Sequence, residues 1–448
     1  MSLSQADVPL PLGYAFVPEL WSNWTGDQRC APESIERPGS EQEVAEAIAR
    51  AARAGRSVRV AAAGHSFNDI VLTDGHLLKL DRMDRVLSAD RETCHAEVEA
   101  GISINALGPA LAERGLALEN QGDVDPQSVA GAISTATHGT GAGFRNLSAQ
   151  VAGLRLITAA GEPLDCSEEV EPDLFRAARV SLGALGVITR VTLRCAPLYT
   201  LRRRDRPVPL EEVLDDLDGW VDGNDRFELF VFPYTRTALT RVSTTVPDPP
   251  NPLSPARRWV EDVALENALL GAFMRTGRAL PRTIPALNRT IARVIQPTER
   301  TDHSYRVYPN ARKVRFTEME YALPREAGRE ALMRVLEMVE RRRLPISFPL
   351  EFRFVAADDA YLSPSNGRDT AYVAAHVYRG MEHETYFRAV ESIMREYYGR
   401  PHWGKRHYRT AADLAPSYPD WDRFAAARER LDPGRRFRND YVDRVLGS

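Results

Sequence analysis

Cysteine is scarce in this 448-residue chain: only Cys30, Cys94, Cys166 and Cys195 occur. None stands in a C-x-x-C, so a zinc ribbon is excluded, and scattered thiols make no disulfide scaffold. A reducing compartment is expected. No apolar run approaches the length of a membrane-spanning helix. The opening MSLSQADVPLPLGYAF lacks the basic start and apolar core of a secretion signal, so a cytoplasmic protein is expected. Charge of one sign is also lacking: the net charge is −4, and no nucleic-acid partner is expected. No strand-G-x-G-x-x-G-helix occurs, which argues against a plain Rossmann site. No G-x-x-x-x-G-K-S/T occurs, which excludes a P-loop.

What remains is ordinary globular composition, 43% apolar and 27% charged. At roughly 100–200 residues per domain the chain should fold as two to four. Ser40 followed by Glu43 is a capping-box pattern that opens a helix closed by Gly55. SVRVAAAG then reads as a strand entering a glycine loop, and INALGPALAERG as a helix closed by Gly115. LRLITAAGEPLDC reads as a hairpin, and DLFRAARVSLGALGVITRVTLRC as helix, glycine turn and strand. Near APLYTLRRRDRPVPL the texture becomes basic and proline-containing, which suggests a domain boundary. RFELFVFPY, RKVRFTEMEYAL, ISFPLEFRFVAA and TAYVAAHVY read as strands. Arginines 257, 258, 275, 278, 282, 289 and 293 are spread through helical sequence. They are either solvated helix faces or a basic face that touches a membrane or partner.

Two loops of small residues stand out, AAAGHSF at 61–67 and AGAISTATHGTGAG at 130–143. Glycine lets backbone N–H groups approach phosphates, so the pair could wrap a dinucleotide pyrophosphate; two tight turns would look the same. Glu351 and Arg353 form an i, i+2 pair in the otherwise apolar FPLEFRFV. On a strand both point to one face, where two charges call for each other or for a ligand.

These stretches form an ordered set: GHSFNDI, GLALENQGDVDPQSVAGAISTATHGTG, VSLGALGVITRVTL, EFR, PHWGKRHY and LDPGRRFRNDY. The set resembles the flavoproteins of vanillyl-alcohol-oxidase type, specifically the sugar-1,4-lactone oxidases and dehydrogenases. The similarity runs from about residue 20 to 447. It implies an α+β fold of two domains. A PCMH-type FAD-binding domain at about 12–197 would be rejoined by the segment 400–448. A cap domain at 198–399 would hold an antiparallel sheet covered by helices.

The resemblance implies that His65, in G-H-S, carries FAD covalently. The cofactor contacts it implies are Ala62, Ala63, Gly64, Ser66, Ser128, Gly131, Ser134, Thr137, His138, Gly139 and Gly141. The backbone of Val187 would meet the flavin or adenine part, and Asn68 would close the loop. Glu351 and Arg353 would bind substrate, and His376 aligns with a substrate contact. Lys405 would stabilise reduced flavin or accept a proton, placed by His402 and Trp403. Gly122 matches a position over the flavin where oxygen approaches. Because relatives that exclude oxygen can carry Ala there, Gly leans toward an oxidase. Asp123 stands where alditol oxidases carry Ser, which argues for a lactone. No metal is expected.

The expected reaction is oxidation of L-gulono-1,4-lactone or D-arabinono-1,4-lactone at the C2 hydroxyl, with O2 reduced to H2O2. The alternatives are a dehydrogenase using a cytochrome, quinone or dye, an oxidase of an alditol or a lipid-linked ribose, and a non-catalytic flavin-binding subunit. The lipid-linked case would require peripheral membrane contact.

Overall fold

The computed structural model describes residues 19–254, 270–309 and 314–448. Arg257 and Arg258 lie outside them. The first helix, Glu41–Arg53, begins as its sequence requires: the Ser40 hydroxyl accepts from the Glu43 N–H. The return bond shifts one residue upstream, because the Glu43 carboxylate accepts from Gly39 N–H at 2.8 Å.

Beside two short two-stranded pairs, Trp21–Ser22 with Arg29–Cys30 and Leu116–Ala117 with Ala196–Pro197, the N-terminal half builds a parallel and an antiparallel sheet. In the parallel one, His76–Leu78 lies between Ser34–Glu36 and Val58–Val60. The antiparallel one has the order Pro163–Ser167, Val151–Ile157, Val187–Arg194, His95–Glu99 and Val86–Asp90. Their core takes in Trp403, Tyr418, Phe424, Tyr441 and Val445 from the end of the chain. The terminal segment therefore packs back against the first half.

An eight-stranded antiparallel sheet forms the rest, in the order Thr298–His303, Thr200–Pro209, Thr237–Val246, Arg226–Val231, Leu350–Val355, Thr370–Tyr378, Phe316–Pro324 and Arg400–Pro401. Alternation along the strands decides what each face does. Phe227, Leu229, Met319, Tyr321, Phe352, Phe354, Val373 and Ala375 pack into a core with the helices Gly328–Arg342 and Glu384–Glu396. Glu228, Glu318, Glu320, Glu351, Arg353 and His376 hold the alternate positions and are also buried. One face thus serves stability, and the other carries buried charge.

The basic stretch after residue 198, where the sequence suggests a domain boundary, is more regular than its composition indicates. It forms the long strand Thr200–Pro209, with partners on both sides. The outer partner spans only Thr200 to Asp205. Pro207 and Pro209 therefore lie past its end, where a missing N–H costs no ladder bond on that side.

Candidate active site

Two cavities meet at one histidine. The first, of about 390 Å³, is walled by backbone and small side chains, among them Ala62, Ala63, Gly64, Gly101, Ser128, Gly131, Ser134, Gly183 and Gly186. A Cβ on Gly131 would come within 2.7 Å of the Ala62 Cβ, so the two loops approach as closely as glycine permits. Gly64 sits at φ +72°, which favours glycine. Small residues here leave backbone N–H groups open to approach, which fits the pyrophosphate of a dinucleotide.

The second cavity, of about 360 Å³, is lined by Trp24, Phe67, Gly122, Asp123, Asp125, Thr137, His138, Phe316, Glu318, Glu320, Arg353, His402 and Lys405. His65, Ser66, Gln127 and Thr135 border both spaces. The His65 ring stacks on Trp24, with centroids 5.5 Å apart. Burial, assisted by the positive charge of Lys405, pushes the His65 imidazole down to about 4, so it stays neutral.

Arg353 is the end of a charge ladder. Across four adjacent strands, Asp205 stands opposite Arg241, Arg241 opposite Glu228, and Glu228 opposite Arg353. The contacts are Arg241 Nη2 to Asp205 at 2.9 Å, Arg241 Nη1 to Glu228 at 3.1 Å, and Arg353 Nε to Glu228 at 2.7 Å. Arg353 also pairs with Glu351, and lies 3.5 Å from Asp123. Burial acts against the guanidinium charge, but Glu351, Glu228 and Asp123 outweigh it and hold Arg353 firmly protonated.

Lys405 donates to Glu318 at 2.5 Å, and His376 Nε2 lies 3.5 Å from the other oxygen of Glu318. Burial raises the Glu318 carboxyl, yet Lys405 and His376 bring it below the usual carboxylate range. Glu320 faces His138 Nε2 at 3.3 Å and is lowered in the same way, burial being outweighed chiefly by His138. Asp125 moves upward instead, by burial and the nearby Asp123.

Two buried groups have ligand atoms close enough for a metal: His138, Glu320 and His402, and Glu318, Glu351 and His376. In the first, His402 Nδ1 accepts the Gly404 N–H at 3.1 Å. The proton of the neutral ring is then on Nε2, which becomes a donor rather than a ligand. In the second, Lys405 and Arg353 already take up the carboxylate charge.

Several residues singled out from the sequence do not line the two cavities at His65. Val187 is buried among Val44, Ile48 and Leu78, and its neighbours Gly186 and Ile188 line the first cavity. Gly139 and Gly141 line neither large cavity; the Gly141 N–H bonds Phe354 O at 2.7 Å and ties the loop to the sheet. Asn68 also lines neither, and its amide donates to Trp403 O at 2.7 Å and Lys405 O at 2.8 Å. It therefore fixes the HWGK turn. Glu351 and His376 stand behind the cavity wall, whereas Arg353 and Lys405 line it. Glu228, Glu318 and Glu320 were not anticipated. The last two carried the same i, i+2 signal as Glu351 and Arg353.

The comparisons with known proteins agree with this geometry. A family model described as D-arabinono-1,4-lactone oxidase matches residues 191–445, and an FAD binding domain model matches residues 32–167. The chain is 55% identical to the L-gulono-1,4-lactone dehydrogenase of Mycobacterium tuberculosis, over 96% of this chain and 99% of that protein. It is 36% identical to the L-gulonolactone oxidase of Mus musculus, over 95% and 98%. In fold it is similar to cholesterol oxidase from B. sterolicum, with a TM-score of 0.82 at 18% identity, covering 98% of this chain and 100% of that one. A glycine-lined cradle, a second cavity lined by charged side chains and matches across nearly the whole chain lead to one conclusion: this protein belongs to the FAD-dependent D-arabinono-1,4-lactone oxidase family.

Proposed function

We propose that the protein oxidises the C2 hydroxyl of an aldono-1,4-lactone, L-gulono-1,4-lactone or D-arabinono-1,4-lactone, with FAD linked covalently to His65. The observation that carries this reading is the meeting of the two cavities at His65. Ala62, Ala63, Gly64, Ser66, Ser128, Gly131 and Ser134 would hold the pyrophosphate side. FAD bound there supplies the acceptor for the substrate hydride.

The protein's own contribution is orientation and charge. Arg353 offers donors to the oxygens of a small polyhydroxylated ring, and the ladder behind it fixes its direction. Asp123, Glu318 and Glu320 are acceptors for lactone hydroxyls, and His402 Nε2–H is a further donor. Lys405, locked on Glu318, is a fixed cation at the cavity wall, worth most where negative charge develops. A neutral His65 presents a nucleophilic nitrogen, as covalent attachment requires.

For the electron acceptor we favour a molecule other than oxygen, because the relative at 55% identity is named a dehydrogenase. Gly122 supports the second reading, an oxidase: an Ala Cβ there would lie 2.9 Å from the His138 carbonyl oxygen, and Gly leaves that space free. The test is anaerobic mixing of the flavoprotein with a panel of lactones and polyols. Flavin bleaching by an aldono-1,4-lactone is expected; bleaching by polyols alone, or by nothing, contradicts the proposal. Mixing the reduced protein with oxygen or with cytochrome c then separates the acceptors. Reoxidation by oxygen within seconds would favour the oxidase.

A further inference from the structure

Arginines in this chain are mostly paired with carboxylates, and one region departs from that habit. From Leu270 to Val294 there are five arginines, 275, 278, 282, 289 and 293, and no Asp or Glu. The helix Ile284–Val294 buries Ile284, Asn288, Ile291 and Ala292. Arg289 and Arg293, one turn apart, lie on its exposed side, and Arg282 lies two turns before Arg289. Arg343, at the end of the helix Gly328–Arg342, joins them, as does Arg236 from the turn after the strand Arg226–Val231.

All of these but Arg293 line a pocket of about 610 Å³, walled by Arg236, Arg282, Arg289, Arg343 and three prolines, with Glu340 as its one carboxylate. Arg236 has a loose partner, Glu211 at 3.8 Å. The guanidinium groups of Arg282, Arg289, Arg293 and Arg343 make no ion pair among the described residues. Arg282, Arg289 and Arg343 converge on the pocket against the single carboxylate of Glu340, so positive charge is in excess there, and an anion relieves the repulsion.

We propose that this face docks on an anionic phospholipid surface, with a lipid phosphate seated in the arginine pocket. An acidic protein would satisfy the charge alone. The flanks favour lipid: Leu280, 60% exposed, and Val294, 51% exposed, stand at the two ends of the basic stripe. Apolar side chains beside unpaired arginines match the boundary between headgroups and acyl chains. The proposal stands independently of the reaction, because none of these residues lines the two cavities at His65.

The test is co-sedimentation of the full-length flavoprotein with vesicles of phosphatidylcholine alone or mixed with phosphatidylglycerol. The parent should sediment only with the anionic vesicles, and lose that binding as salt is raised. R282E/R289E/R293E should weaken it by on the order of fivefold per arginine. Its circular dichroism and flavin content should match the parent. If that variant misfolds, R282Q/R289Q serves in its place, with the same direction expected. L280S/V294S should weaken binding severalfold without changing its salt dependence. Equal sedimentation with both vesicle types, none with the anionic ones, or arginine variants that bind like the parent would overturn the proposal. So would capture of an acidic protein by this face with no vesicle binding.

Discussion

Arg353 is the residue on which the lactone reading depends most. It lines the second cavity and is held by Glu228, Glu351 and Asp123. Arg353→Lys keeps the charge but loses the forked donor geometry. We expect it to slow lactone-dependent flavin bleaching by on the order of a hundredfold, measured by anaerobic stopped flow. Arg353→Met should cost about 3–5 kcal/mol in denaturant unfolding, because it strands buried carboxylates. A Met variant as stable as the parent would contradict the ion-pair account. Asn68 acts at one remove: Asn68→Ala frees the carbonyls of Trp403 and Lys405, so it should slow bleaching more than it lowers flavin content. At this scale the sequence was informative at Glu351 and Arg353, where charges interrupt an apolar strand. Glu318 and Glu320 interrupt FTEMEYAL in the same way and were read only as strand. Their partners, Lys405 and His138, come from 87 and 182 residues away, and no local pattern reports such a distance.

Among elements, strand register does the positioning. Asp205, Arg241, Glu228 and Arg353 meet because four strands align them across the sheet. Glu228→Gln removes the charge between two arginines while leaving the backbone ladder intact. It should raise the lactone concentration needed for half-maximal bleaching, and Glu228→Asp should restore part of the effect. The glycine loops are positioned as tightly. Gly131→Ala would press a methyl against Ala62, and should reduce the flavin recovered per protein severalfold, read from the absorbance ratio of the purified protein. The helices at Glu41–Arg53 and Ile104–Ala112 were legible from capping residues and terminal glycines. The strand Thr200–Pro209 was not, because its arginines and prolines carry loop signals. Its arginines are paired with Asp205 on the same strand and with Glu299 and Asp248 on neighbouring segments, and the last two are invisible locally.

For the whole molecule, burial of neutral imidazoles sets the acid limit. His402 and His407 are pushed by burial down to about 3, against about 6.5 in an unfolded chain. Between those values the unfolded chain binds more protons than the folded one, so stability rises with pH. It is therefore fully present above about pH 6.5 and lost as the pH falls toward 3. Glu318, Glu320 and Asp205, all lowered, add loss in the same direction at the acid end. The thermal midpoint should fall steadily from pH 7 to pH 4.5. His407→Gln should flatten that fall, since His407 Nε2 donates to Tyr441, whose hydroxyl donates to Trp403 O. A flat midpoint across the window would contradict the assignment of neutral buried rings. The return of Trp403, Tyr418 and Tyr441 to the N-terminal core explains how one turn can depend on the whole fold.

The central claim is that the two cavities form one flavin site hinged at His65. The most direct measurement compares the parent with His65→Ala. Both are denatured in acid, run on a denaturing gel, and viewed for yellow fluorescence in the protein band. The account predicts fluorescence in the parent band and none in the variant. Flavin released from the denatured parent would contradict covalent attachment at His65. A folded parent without flavin would contradict the site itself.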